Sequence, residues 1–251
     1  GLAAAAMRAG ARLYCGQPAL RITRTGHDWH IATADGSIRA RHVLIATEGY
    51  GAVPGLWPGL EHTHYQMPFA VIASEPAPDI AGRLLPAGIP IADANKANPF
   101  WAMTTGSGHI VGSLLPPRGD RLSPAGVARF YEAKLTRIHG PLPPIRWSHF
   151  WTGTVAISLE RVPRLLRLGE GLYAVGGFSG QGIAAATAIG REYGAIIAHD
   201  GDTRAGRLPV FEMQPVRFRR ALPVLMRSVL APLGRRLDRS YRDVPGEIVE
   251  E

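Results

Sequence analysis

The run Leu172-Tyr-Ala-Val-Gly-Gly-Phe-Ser-Gly-Gln-Gly-Ile183 holds the residues best suited to chemistry. A short apolar strand is expected to enter a turn containing Gly176, Gly177, Gly180 and Gly182. An Ala-rich helix should follow, reaching about Ala198. Glycines at such a junction let the backbone come close to a ligand, and a helix start presents unpaired N–H groups with partial positive charge. That suits a phosphate, a carboxylate, or the carbonyl edge of a redox ring that gains negative charge on reduction. The same glycines would also serve a tight strand-to-helix connection with no ligand.

Other chemistry is poorly supplied. The nine histidines form no H-x-x-x-H or H-E-x-x-H pattern. His62 and His64 would share one face of a strand, but no third ligand lies nearby, so no metal site is expected. There is no G-x-S-x-G elbow, which argues against a hydrolase. Cys15 is the only cysteine. It excludes an internal disulfide and a cysteine-cluster metal site, and at the end of a short strand it is expected to be a small core residue.

The elements that must position the glycine turn can be read along the chain. Residues 1–10 read as a helix whose face of Leu2, Ala5, Ala6 and Ala9 would pack on a sheet, with Gly10 at its end. Residues 12–15, 18–24, 28–34 and 37–45 read as strands, with Gly26 and the pair Asp35-Gly36 as turns. His42-Val-Leu-Ile-Ala-Thr47 is apolar at its centre, as a buried parallel strand would be.

From Trp57 the texture becomes antiparallel β. Strands are expected at 67–74, 90–93, 100–104 and 109–113, with Pro76 and Pro78 as interruptions. Ser123-Pro124 caps and starts a helix to Arg137. Residues 145–152 read as a further strand. Weak helical periodicity runs from Phe218 to Leu237, and the last residues read as a loose tail.

The chain of 251 residues has 46% hydrophobic and 19% charged residues, which is a globular composition. No secretory signal and no membrane-spanning run is present, so a soluble cytoplasmic protein is expected. The net charge of +8 invites a nucleic-acid reading. However, Arg217, Arg219, Arg220, Arg227, Arg235, Arg236, Arg239 and Arg242 concentrate it between positions 217 and 242, where only Asp238 opposes them. No aromatic ladder interleaves with these residues, so no nucleic-acid partner is expected.

Several segments in a specific order carry a resemblance. They are Ala9-Gly-Ala-Arg-Leu-Tyr14, Pro18-Ala-Leu-Arg-Ile22, Val43-Leu-Ile-Ala-Thr-Glu-Gly-Tyr50, Trp151-Thr-Gly153 and Gly176-Gly-Phe-Ser-Gly-Gln-Gly182. Together they resemble the FAD-dependent oxidoreductases of the D-amino-acid oxidase (DAO) type, and within them the γ-glutamylputrescine oxidoreductase-like branch. The likeness extends to about Leu208. The family's opening strand, G-x-G-x-x-G turn and ribose-binding acid have no counterpart here. The chain is therefore expected to be a C-terminal portion.

The resemblance implies a mixed α/β (α+β) fold: an incomplete Rossmann-like FAD-binding layer plus an antiparallel substrate domain. The expected division is a partial FAD-binding domain at 1–56, the substrate domain at 57–146, the return of the FAD-binding domain at 147–208, and an Arg-rich tail at 209–251. It implies FAD as cofactor. Ala19 and Leu20 would lie at the adenine, or be ordinary edge-strand residues. Ala46, Thr47, Glu48 and Gly49 would lie near the cofactor's phosphate and ribose, though the Thr47 hydroxyl could simply bond local backbone. Gly177, Phe178, Ser179, Gly180, Gln181, Gly182 and Ile183 would run along the flavin's pyrimidine edge.

Three departures are visible. Gln181 stands where the family usually has His, so it can donate a hydrogen bond but not carry charge. The family's Tyr-x-Arg-like substrate element corresponds to Phe100-Trp-Ala-Met-Thr104, with no Arg. Phe100 and Trp101 would wall an apolar or cationic pocket, or belong to the core. Ser158-Leu-Glu160-Arg-Val-Pro163 replaces the family's Thr-x-Asp-x-x-Pro and is expected to be structural. The implied activity is oxidation of a small amine or amino acid at its C–N bond by hydride transfer to flavin. The alternative is a non-catalytic fragment or subunit that needs a separate dinucleotide-binding chain to hold FAD.

Overall fold

The computed structural model describes residues 1–50, 56–60, 63–92, 100–114, 123–158 and 160–213. His62, Asp93, Leu159 and the basic tail from 217 onwards, with its expected helix, lie outside the described residues. Two compact units are present, one drawn from Gly1–Thr63 and Val162–Pro215, the other carrying His64–Arg161.

The first unit is organised by two short parallel strands, β4 (Val43–Ile45) and β11 (Leu172–Gly176). Arg21–Thr25 (β1), Asp28–Ala32 (β2) and Ser37–Ala40 (β3) precede them as an antiparallel meander, with Asp35-Gly36 turning β2 into β3. Arg164–Gly169 (β10) pairs antiparallel with β11, and Val210–Glu212 (β12) pairs parallel with β10, so the sheet order is β12-β10-β11-β4. The layer is mixed and not wholly parallel. α4 (Gly182–Ala198) lays Ile189, Tyr193 and Ile196 on Leu165 and Tyr173 on one face. On the other face Leu166, Leu172 and Ala174 meet Ile22, Trp29 and Ile45.

Strands covered on both faces need apolar residues at successive positions, which is what Leu165-Leu166 and Leu172-Tyr-Ala174 supply. The Trp29 indole N–H donates to the Glu170 carbonyl at 2.9 Å and ties the meander to the β10–β11 turn. At Gly171 (φ +72°) a Cβ would stand 2.4 Å from the Arg41 carbonyl oxygen, so only glycine fits this turn.

The second unit is a five-stranded antiparallel sheet. Its strands are β5 (Tyr65–Ser74), β6 (Ile91–Ala92), β7 (Phe100–Thr104), β8 (Ile110–Leu114) and β9 (Trp147–Ile157), in the order β6-β7-β8-β5-β9. α3 (Pro124–His139) covers one face, where Val127, Phe130, Tyr131 and Leu135 pack on Ile72, Phe100, Ala102 and Ile110. The Ser123 hydroxyl accepts the Gly126 N–H at 3.0 Å, the expected cap.

Several expectations differ from what is found. Residues 12–15 form no strand: Leu13 and Tyr14 are 51% and 61% exposed, and Cys15 is exposed and not a core residue. The first helix, α1 (Leu2–Arg8), buries none of its residues, and its Leu2 is 70% exposed. Pro78, expected to interrupt, begins a short helix, α2 (Pro78–Leu84), because a proline lacks only an N–H that the first turn would leave unpaired. β9 pairs with β5 from Trp147 to Ile157, so the antiparallel unit continues past the boundary expected at 147.

Candidate cofactor site

β4 and β11 run side by side in the same direction, with Val43, Leu44 and Ile45 opposite Leu172, Tyr173 and Ala174. Their carboxyl ends therefore emerge together. That is where open α/β sheets place ligands. Ala46-Thr47-Glu48-Gly49 leaves one strand and Gly176–Gly182 leaves the other. Two segments singled out separately in the sequence are thus brought to one edge of the sheet.

The two turns are linked. The Glu48 carboxylate accepts the Gly177 N–H at 3.1 Å. Glu48 holds φ +46° at the start of a single 3-10 turn, closed by the Tyr50 N–H donating to the Thr47 carbonyl at 2.9 Å. In the glycine turn, Gly177, Ser179 and Gly180 have φ of +78°, +55° and +87°. The Ser179 hydroxyl donates to the Gly177 carbonyl at 3.1 Å, and the Gln181 N–H donates to the Phe178 carbonyl at 2.9 Å. Phe178 is 8% exposed and packs with Ile189 and Tyr193, so it anchors the turn in the core.

Beyond the turn the backbone is open. Gln181 occupies the N-cap of α4 without a side-chain hydrogen bond to the helix. The first amides of α4, Gly182 and Ile183 among them, have no acceptor within the helix. Ile183 is 88% exposed, and nothing lies within 4 Å of where a Gly180 side chain would begin. A helix start presents N–H donors at a positive end, a feature that suits a ligand edge carrying negative charge. One amide expected to face such a ring, that of Gly177, is already taken by Glu48.

The remaining predicted residues are placed as follows. Ala19 is half-buried against the cluster that contains Ile45, the residue before Ala46. Leu20 is 57% exposed, and its N–H donates to the Ala32 carbonyl at 2.8 Å, extending the β1–β2 ladder. Phe100 is 2% exposed and meets Tyr131 with ring centres 4.9 Å apart, so it is a core residue. Trp101 lies on the opposite face of β7, half-buried, with its carbonyl accepting the Tyr131 hydroxyl at 3.2 Å. His64 is buried, and no group of metal-binding side chains occurs among the described residues. No helix of the described residues is long and apolar enough to cross a membrane.

Sequence reasoning missed two features. The Glu48–Gly177 bond joins positions 129 apart, and no local pattern announces it. Gly180-Gln-Gly182-Ile-Ala-Ala185 also has the G-x-G-x-x-A spacing of dinucleotide turns, between a strand and a helix. The strand after α4, however, is β12, which is parallel to β10 and so runs opposite to β11. The turn is therefore not part of a βαβ unit.

The first unit is a mixed sheet with a glycine turn at the carboxyl end of β11, and the second is an antiparallel sheet, together a mixed α/β fold. A family model for FAD-dependent oxidoreductases, DAO, matches residues 1–195. The chain belongs to this family. It is 28% identical over 193 residues to a Rhizobium meliloti (strain 1021) protein named "Probable oxidoreductase OrdL", covering 77% of this chain and 44% of that one. It is 25% identical over 173 residues to the γ-glutamylputrescine oxidoreductase of Escherichia coli (strain K12), covering 68% and 40%. The crystal structure of L-proline dehydrogenase from P. horikoshii superposes with a TM-score of 0.62 at 20% identity, over 79% of this chain and 54% of that one. The chain spans less than half the length of the two named relatives.

Proposed function

We propose that this chain forms the flavin-facing part of a FAD-dependent oxidoreductase acting on the C–N bond of a small amine or amino acid. The observation that carries the reading is the parallel pairing of β4 with β11, which sets residues 46–49 beside the turn 177–183. The chemistry supplied by a bound flavin is acceptance of a hydride from the carbon bearing the amine, leaving an imine that water hydrolyses.

The chain's own part is binding and electrostatics. Amides along Gly180, Gly182 and Ile183 would hold the edge of the ring where negative charge accumulates, and the α4 dipole adds to them. Gln181 would donate a hydrogen bond there without charge, giving milder tuning than a His. Ala46 and Thr47 would line the cofactor's phosphate and ribose region, with Ala19 and Leu20 toward the adenine. Trp101 remains the candidate for a substrate wall. The chemistry needs a neutral amine placed against the ring more than it needs a strong protein base. Membership of the family and the amine and amino-acid oxidoreductases among the similar proteins support this substrate class.

A second reading is that FAD is held only when a separate dinucleotide-binding chain is present. The position of β4 as the last strand of its sheet among the described residues favours it, since a strand edge can accept another chain. Gel filtration of the chain mixed with FAD separates the two. Flavin absorbance near one per chain supports the first reading. A colourless chain that acquires flavin only with a partner supports the second.

A further inference from the structure

This inference rests on the flavin reading above and deepens it. We propose that Glu48 is a positioning residue: its carboxylate clamps the glycine turn through the Gly177 amide and leaves a fixed negative charge beside the amides offered to the flavin.

Three observations carry it. First, Gly177 is held at both of its backbone polar groups, the N–H by Glu48 and the carbonyl by the Ser179 hydroxyl, each at 3.1 Å. Second, both holding residues adopt left-handed backbone that L residues rarely take: Glu48 at φ +46° and Ser179 at φ +55°. Among the described residues only Arg161 and Asp200 share that feature without being glycine, so half of these unusual positions meet at this one turn. Such conformations persist only where their surroundings enforce them, and they gather at functional sites. Third, the clamp joins the ends of two parallel strands, so it fixes one turn relative to the other and not merely within itself.

The consequence is electrical as well as mechanical. A charge-assisted hydrogen bond is about twice as strong as a neutral one, so the turn's first amide is committed to the protein. The donors left for a ligand are those further along, at Gly180 and the start of α4. A carboxylate held there opposes the negative charge that a flavin gains on reduction, so Glu48 keeps the flavin harder to reduce than the amides alone would.

The test compares Glu48→Gln and Glu48→Ala with the parent chain. Gln keeps an acceptor oxygen and removes the charge, whereas Ala removes both. Exchange of the Gly177 amide, read by NMR, should quicken about tenfold or more in Glu48→Ala and stay within a few-fold of the parent in Glu48→Gln. In the FAD-loaded protein the midpoint potential should become more positive in Glu48→Gln. Unchanged Gly177 exchange in Glu48→Ala would overturn the clamp. If the Ala variant does not fold, Glu48→Gln decides alone: a lost Gly177 protection, or an unchanged or more negative potential, overturns the proposal. A parent chain that takes up no flavin would sink the reading above, while amide exchange would still decide the clamp.

Discussion

The Glu48 carboxylate and the Gly177 amide are hydrogen-bonded at 3.1 Å across 129 positions of sequence. Parallel pairing of β4 with β11 makes the contact possible, because it delivers two separate turns to the same sheet edge. A cofactor placed there would meet backbone donors first and side chains second, since Phe178 turns inward and Gln181 leaves the helix start uncapped.

Gly180 tests whether that edge is a cradle. It has φ +87° with no atom within 4 Å of a built Cβ, so Gly180→Ala is strained by backbone conformation and not by crowding. The expected cost is about 1–2 kcal/mol. Thermal unfolding should register it, and FAD uptake should fall further than the stability loss alone explains, because the new methyl group projects into open space at the turn.

Phe100 and Trp101 should separate stability from binding. Phe100 is 2% exposed between Phe130 and Tyr131, so Phe100→Ala is expected to cost about 3–5 kcal/mol of stability, read by urea unfolding. Trp101→Ala, on the half-buried opposite face, should cost less and should act on substrate KM in the flavin-loaded protein.

Two glycines bracket the packing. At Gly112 a Cβ would sit 2.1 Å from Tyr131, so Gly112→Ala must displace a fully buried ring and should cost about 1–3 kcal/mol. Gly190 lies inside α4 with nothing within 4 Å, so Gly190→Ala should gain up to about 1 kcal/mol from helix propensity. Denaturant midpoints of the two variants should move in opposite directions.

Acid should loosen the far end of the first unit. The Glu192 carboxylate accepts the Arg207 N–H at 2.7 Å and the Arg191 guanidinium at 2.7 Å, and these contacts, the backbone one foremost, lower its pKa from 4.5. Hydrogen bonds from Arg204 bring Asp202 down from 3.8 to about 2. Both groups are depressed in the folded chain, so their stabilisation is full above the unfolded values and is lost as pH falls through the folded ones. Unfolding followed from pH 6 to about 2 should show stability declining below about 4.5, and Glu192→Gln should flatten the upper part of that decline.

Much of this was legible in the sequence wherever local chemistry decides. The Asp35-Gly36 hairpin, the Ser123-Pro124 helix start and the glycine turn into α4 each rest on a few adjacent residues. The rest depended on partners far along the chain. Residues 12–15 have strand-like composition but pair with no strand among the described residues, and they are exposed. β10 was not expected, because Arg164-Leu-Leu-Arg-Leu-Gly169 lacks the two-residue alternation of a half-buried strand; it is covered on both faces instead. Phe100 could be placed in the core only once α3 was seen to lie over β7.

The most direct measurement follows backbone amide shifts by NMR as FAD is added to the chain. Perturbations centred on residues 46–49 and 178–184 are the predicted result. Saturating FAD that leaves those amides unmoved, or shifts that gather at the opposite sheet end around Arg41, His199 and Arg204, would contradict the account.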